Sequence, residues 1–133
     1  ANVLRLLGSR RAFVVHGKDG MDEITLTTRT RVSEIADGKV TTYEFDPLEL
    51  VSEYSEATAL AGGDIEFNAS ITREILGGKK GPRRDIVCLN AAAGIVAGGK
   101  AANMTEGWRQ AQESIDSGNA QQALQDLIAC TAV

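Results

Sequence analysis

Two adjacent carboxylates, Asp22 and Glu23, lie in a polar, glycine-punctuated turn between two apolar stretches. The chain is apolar from Ala12 to Val15, passes through His16-Gly17-Lys18-Asp19-Gly20-Met21, and resumes an apolar/polar alternation at Ile24. Mg²⁺ needs oxygen ligands and an open coordination sphere, and is bound by one or two carboxylates where it also contacts substrate phosphates. On local sequence alone, the favoured reading of the pair is charge on a solvated loop.

Other chemistry-bearing residues read more plainly. His16, the sole histidine, has the type for a general base, yet no acid partner stands near it. It reads as a structural group at a strand end, with one ring nitrogen hydrogen-bonded. Gly17 and Gly20 match neither a Walker loop nor a dinucleotide fingerprint, and turn geometry accounts for them. Gly62-Gly63-Asp64 reads as a break and helix cap, because Asp64 and Glu66 would repel an anion. Lys79, Lys80, Arg83 and Arg84 form the one basic cluster. It reads as a solvated interhelical loop, with Arg83 or Arg84 free to pair with Asp85 or Glu74. Trp108 reads as a core anchor. Cys88 and Cys130 read as small buried side chains of a reducing cytoplasm.

The elements that position these residues follow from periodicity. Val3, Leu4, Leu6 and Leu7 read as the buried face of a helix tail closed by Gly8, whose beginning is expected upstream. Ala12 to Val15 reads as a strand buried on both faces. Ile24 to Thr28 reads as a strand, and Thr30 to Ile35 and Val40 to Phe45 flank Asp37-Gly38, a hairpin signal. Asp46-Pro47 ends that section, and Leu48 to Ala61 has a weak pattern. Four helices then follow. The first runs from Asp64 to Gly77, with Phe67, Ile71 and Ile75 at helical spacing. The second, with Pro82 suited to its first turn, runs from Arg83 to about Ala97, apolar nearly all round. The third is capped by Thr105 and carries Trp108, Ala111 and Ile115. The last starts at Ser117 or Asn119 and carries Leu124, Leu127 and Ile128. Strands followed by helices suggest an α+β arrangement by pattern.

Bulk properties bound the function. The 133 residues, 43% hydrophobic and 24% charged, suit one globular unit over 1–133. A net charge of −4 and a pI near 5.0 argue against nonspecific nucleic-acid binding, which needs a basic footprint. No apolar run approaches a membrane span, and no secretory leader is visible at the first residues. The cytoplasm is the expected compartment.

Several words in order resemble anthranilate phosphoribosyltransferases, in the C-terminal half of that family's sequence. They are Leu4-Arg5-Leu6-Leu7-Gly8-Ser9, Val14-Val15-His16-Gly17, Asp19-Gly20-Met21-Asp22-Glu23, Gly62-Gly63-Asp64 with Asn68-Ala69, Gly81-Pro82-Arg83-Arg84-Asp85 with Leu89-Asn90-Ala91-Ala92-Ala93, and Ser114-Ile115-Asp116-Ser117-Gly118. The resemblance covers nearly the whole chain. It implies an α/β fold: the C-terminal part of a mixed-sheet domain of the nucleoside phosphorylase/phosphoribosyltransferase type, with a hairpin and then four helices. It implies transfer of phosphoribosyl from phosphoribosyl pyrophosphate to anthranilate, in tryptophan biosynthesis. It also implies Mg²⁺ as cofactor, held at Asp22 and Glu23.

The family's Gly-Thr-Gly-Gly-Asp and Lys-His-Gly-Asn words do not occur here, so the chain alone is expected to be inactive. Where the family has a Gly-Leu-Pro turn, this chain has Val51-Ser52-Glu53, and no function is carried onto that segment. The expected partners are the two substrates of the complete enzyme, and a second copy or the missing N-terminal half. Two other readings are a pyrimidine nucleoside phosphorylase-like transferase and a non-catalytic oligomerising module.

Overall fold

Turn chemistry and alternation build a small sheet at the start of the chain. The structure is a computed structural model describing residues 1–131. After a short helix α1 (Asn2–Leu6) come β1 (Arg11–Gly17), β2 (Thr30–Ala36) and β3 (Lys39–Phe45). They form an antiparallel sheet in the order β1-β2-β3. The β2–β3 turn places both Asp37 and Gly38 at positive φ (50° and 73°), the conformation that favours Asp-Gly in a two-residue hairpin. Val32 and Phe45 point from the sheet into the core with Ile24 and Leu26 of the β1–β2 loop, against Leu89 and Ala93.

The Ile24–Thr28 segment is not a strand. Ile24, Thr25 and Leu26 are 2%, 0% and 1% exposed, and three consecutive buried residues are incompatible with a strand that has one wet face. Their polar groups are met outside a ladder: Asn90 holds Ile24, the Thr25 N–H donates to Thr30 Oγ1 at 3.1 Å, and the Leu26 carbonyl accepts from the Ser55 N–H at 3.0 Å. Nor is β1 buried on both faces. It is an edge strand, with Val14 and His16 turned to solvent.

Leu48 to Ala61 resolves into a 3₁₀ turn at Pro47–Glu49 and a four-residue helix α2 (Ala57–Leu60). Asp46 caps the 3₁₀ turn by accepting from the Leu48 N–H. Four longer helices follow, as the periodicity predicts: α3 (Ile65–Leu76), α4 (Pro82–Ala97), α5 (Met104–Asp116) and α6 (Asn119–Thr131). Asp64 caps α3 through the Phe67 N–H at 2.8 Å, and Pro82 opens α4.

The cap of α5 is Asn103 and not Thr105. Asn103 Oδ1 accepts from the Glu106 N–H at 2.9 Å, and the Glu106 carboxylate reaches back to the Ala102 N–H at 2.8 Å, a reciprocal capping arrangement that leaves Thr105 inside the first turn.

Helix α4 is the spine. One side buries Leu89 and Ala93 against the sheet cluster, and the other buries Cys88 with Ile75, Ala111 and Ile115, while Trp108 packs against both clusters. Gly107 lets α5 approach: a Cβ there would lie 2.7 Å from the Ala92 carbonyl oxygen. The helix is less enclosed than its composition suggests, since Val87, Ala91 and Gly94 face solvent.

The apolar face of α1 is exposed too, with Leu7 at 78%. So are Leu127 and Ile128 of α6, and Cys130 beyond them, whereas Cys88 is buried. Among the described residues no helix is long and apolar enough to cross a membrane.

Candidate functional site

Asp22 and Glu23 sit on the long β1–β2 loop, whose neck is closed where the Lys18 N–H donates to the Arg29 carbonyl at 3.0 Å. Within it the Gly17 N–H reaches the Met21 carbonyl at 2.8 Å and the Gly20 N–H reaches the Gly17 carbonyl at 2.9 Å. Gly17 is required here, because a Cβ would collide with the Asp19 carboxylate and the Thr25 side chain. Gly20 adopts φ of +96°, which favours glycine.

Asp19 is the knot of this loop. Its Oδ2 accepts from Thr25 Oγ1 at 2.6 Å and from Thr27 Oγ1, and its Oδ1 accepts from the Met21 N–H at 3.1 Å. Burial opposes its ionisation, but these three donors outweigh it and hold the carboxyl below its usual range.

On the far side of the carboxylate pair, Ile24 is held from helix α4. Asn90 Oδ1 accepts from the Ile24 N–H at 2.9 Å, while Asn90 Nδ2 donates to the Ile24 carbonyl at 2.9 Å and to the Ile86 carbonyl at 3.0 Å. Asp22 and Glu23 are therefore suspended between two fixed residues, Met21 and Ile24.

Their own oxygens are uncommitted. Among the described residues neither carboxylate accepts a hydrogen bond or pairs with a cation. Partial burial, then the charges of Asp22 and Asp19, push the Glu23 carboxyl up. A cation beside the pair would relieve that repulsion. The donor set, two free carboxylates with no nitrogen or sulfur, fits Mg²⁺, which fills its remaining positions with water and phosphate oxygens. No group of three His, Cys, Asp or Glu side chains converges on a metal position among the described residues, so the protein itself supplies two ligands at most from this loop.

The other predicted residues lie elsewhere. His16 is paired in register with Arg31 on an exposed strand face. No hydrogen bond reaches its ring among the described residues, so the expected anchoring bond is absent.

The basic cluster is structural, but its partners differ from those expected. Arg84 is 1% exposed and makes a two-pronged pair with Asp116, at 2.7 and 2.9 Å, across to the end of α5. Lys80 adds to the same carboxylate at 3.2 Å. Arg84, foremost, holds the Asp116 carboxyl down to about 2. Lys79 pairs with Glu74, and Arg83 donates to the carbonyls of Ala59 and Ala61 while lying over the Phe67 ring. Burial pushes the Cys88 thiol up, away from nucleophile duty.

A groove of about 210 Å³ runs between β1 and α4, lined by Phe13, Val15, Ile24, Asn90, Ala93 and Gly94. It opens beside the unpaired edge of β1.

Sequence reading alone misses Asp19, Thr25, Thr27 and Asn90 as the groups that shape the loop. One signal was available: Asn90 is the sole polar residue between Ile86 and Val96 apart from Cys88, and a lone amide in an apolar helix needs a partner.

The sequence pattern of the glycosyl transferase family, a/b domain, matches residues 1–121. The chain belongs to this family. The anthranilate phosphoribosyltransferase of Syntrophobacter fumaroxidans is 52% identical over 131 residues, which cover 98% of this chain and 39% of that relative. The crystal structure of the anthranilate phosphoribosyltransferase from Thermus thermophilus superposes with a TM-score of 0.80 at 39% identity, covering 90% of this chain and 35% of that one. The Saccharomyces cerevisiae enzyme in complex with PRPP and Mg gives a TM-score of 0.74 at 30% identity, over 86% of this chain and 33% of that one. The chain thus spans about two fifths of the length of the relatives it matches. As a member of the glycosyl transferase family it has the expected α/β fold, with its hairpin sheet and four long helices corresponding to the C-terminal part of the domain.

Proposed function

We propose that this chain is the C-terminal part of an anthranilate phosphoribosyltransferase, a cytoplasmic enzyme of tryptophan biosynthesis, and acts as one unit over 1–133. The complete enzyme joins the anthranilate nitrogen to the ribose of phosphoribosyl pyrophosphate and releases pyrophosphate. The observation that carries this reading is the uncommitted Asp22–Glu23 pair, held on a pinned loop in a chain 52% identical to a named anthranilate enzyme.

Asp22 and Glu23 would hold Mg²⁺, which neutralises negative charge developing on the leaving group. The chain's own contribution is geometric and electrostatic. Asp19 and Asn90 fix the backbone on either side of the pair. The half-buried Glu23 keeps a carboxylate whose charge is poorly compensated until a cation arrives. Thr25 and Leu26 close the loop floor against water.

Catalysis by positioning requires both substrates to be held together. The chain covers about two fifths of its relatives' length, so the remaining substrate contacts are assigned to polypeptide outside it, and the chain alone is inactive. The unpaired β1 edge, with the apolar groove beside it, supports docking of that polypeptide or of a second copy.

The test is complementation. This chain is mixed with a separately produced remainder of the Syntrophobacter relative, and pyrophosphate release is followed with PRPP and anthranilate. Release that needs both pieces and both substrates is expected. Release by this chain alone, or none from the mixture when both pieces are folded, contradicts the reading.

A further inference from the structure

We infer that Asn90 is a positioning residue for the cation-binding loop, acting from α4 on the backbone of Ile24, and this rests on the reading of Asp22–Glu23 as the cation ligands. Backbone hydrogen bonds close the first half of the loop, between Gly17 and Met21 and between Lys18 and Arg29, whereas Ile24 is held by a side chain.

Upstream of the carboxylate pair, Met21 is fixed at both polar atoms: its N–H by Asp19 and its carbonyl by the Gly17 N–H. Downstream, Ile24 is fixed at both polar atoms by one side chain, the Asn90 amide, from 66 residues away in sequence. That amide reproduces the donor–acceptor pair a neighbouring strand would offer. Its orientation is determined, because the oxygen meets an N–H while the nitrogen meets two carbonyls, those of Ile24 and Ile86. Ile24 is itself buried in the core beside Leu89 and Ala93, so the clamp is anchored. Two residues, Asp22 and Glu23, are left between the fixed points, and their carboxylates have no competing partners among the described residues.

Two carboxylate ligands on a dipeptide held at both ends lose less freedom on binding a cation than on an open loop. Removing one anchor raises the ordering cost that binding must meet. Each hydrogen bond lost is a modest term, and losing the pair weakens cation binding on the order of tenfold.

The experiment uses the 133-residue chain, Mn²⁺ alone as probe, and amide hydrogen exchange with paramagnetic line broadening. In the wild type, the Ile24 amide is expected to exchange at least tenfold more slowly than the amide of exposed Asp22, which donates to no partner among the described residues. Exchange at the loop rate overturns the clamp without any variant. In Asn90→Leu, which keeps the side-chain volume, Ile24 protection is lost and the Mn²⁺ dissociation constant rises about tenfold, while Leu89 and Ala93 amides keep wild-type protection. Asn90→Asp keeps the acceptor for Ile24 N–H but sets oxygen against two carbonyls, so Ile24 protection falls there too. Unchanged Mn²⁺ affinity in Asn90→Leu, or a loss matched by equal loss of α4 protection, overturns the positioning role. Wild-type chain that shows Ile24 protection but no Mn²⁺ broadening around Asp22 and Glu23 overturns the cation reading, and with it the role assigned to Asn90, while leaving the clamp geometry intact.

Discussion

Replacing Thr25 by Val tests whether the Asp19 knot shapes the acidic loop. The substitution is isosteric and Thr25 is fully buried, so it opens no cavity and changes only hydrogen bonding. The lost hydroxyl donates to Asp19 Oδ2 at 2.6 Å and accepts from the Thr27 N–H at 3.0 Å. A neutral bond contributes about 1 kcal/mol and a bond to a charged group about 1.5–3 kcal/mol. Asp19 lies at the surface, so the lower end applies to it, giving a destabilisation of about 2 kcal/mol at pH 7. With a urea slope of about 1.5 kcal/mol/M for a chain of this size, the midpoint falls by roughly 1.3 M.

The pH dependence is the sharper part of the test. Hydrogen bonds hold the Asp19 carboxyl below its ordinary value of 3.8. A depressed carboxylate gives stability that is fully present above its unfolded pKa and is lost as pH falls through the folded one. Part of the wild-type advantage over Thr25→Val therefore disappears below about pH 4. Urea melts at pH 7 and below the ordinary carboxyl value of 3.8 measure both quantities. A difference that is pH-independent, or a variant as stable as wild type at pH 7, would refute the knot.

Other perturbations separate scaffold from site. Gly107→Ala drives a Cβ to 2.7 Å from the Ala92 carbonyl oxygen and should cost about 1–3 kcal/mol by overpacking, whereas Gly94→Ala, in open space on α4, should gain about 0.5–1 kcal/mol; thermal melts of the two variants must move in opposite directions. Glu23→Gln removes a carboxyl whose pKa is raised by burial and by Asp22 and Asp19. A raised carboxyl penalises the folded state once pH exceeds its unfolded value, so the variant should be more stable than wild type at pH 7, equal to it well below pH 4.5, and weaker in Mn²⁺ binding. Asp116→Asn weakens the partner of buried Arg84, and its effect on urea melts should vanish only as pH approaches 2, where Asp116 itself protonates. A thiol reagent should label exposed Cys130 rapidly and buried Cys88 only on unfolding.

Local signals made much of the fold legible in the sequence. Asp37-Gly38, Asp64, Pro82 and the periodicity of Trp108, Ala111 and Ile115 each act over a few residues, and each marks the element it predicts. Ile24–Thr28 misled because alternating β-branched residues also suit a buried loop whose polar groups are met by side chains. Thr105 misled because Asn103 competes for the same cap and wins with Glu106 three residues on. Leu6, Leu7, Leu127 and Ile128 have helical spacing, yet more than half of each residue stays exposed among the described residues. At the site, the carboxylate pair was visible as residue types, while its supports were not. Asn90 and Ile24 are 66 residues apart, and Arg84 and Asp116 are 32 apart; such pairings depend on how α4 packs, which no local pattern encodes.

The most direct test of the account is a Mn²⁺ titration of the wild-type chain followed by backbone amide broadening, with Mg²⁺ added in competition. The account predicts broadening centred on Met21 to Ile24, reversed by Mg²⁺ and absent from the double variant Asp22→Asn, Glu23→Gln. Broadening that survives in the double variant, or that centres on another acidic surface such as Glu44 and Asp46, would contradict it.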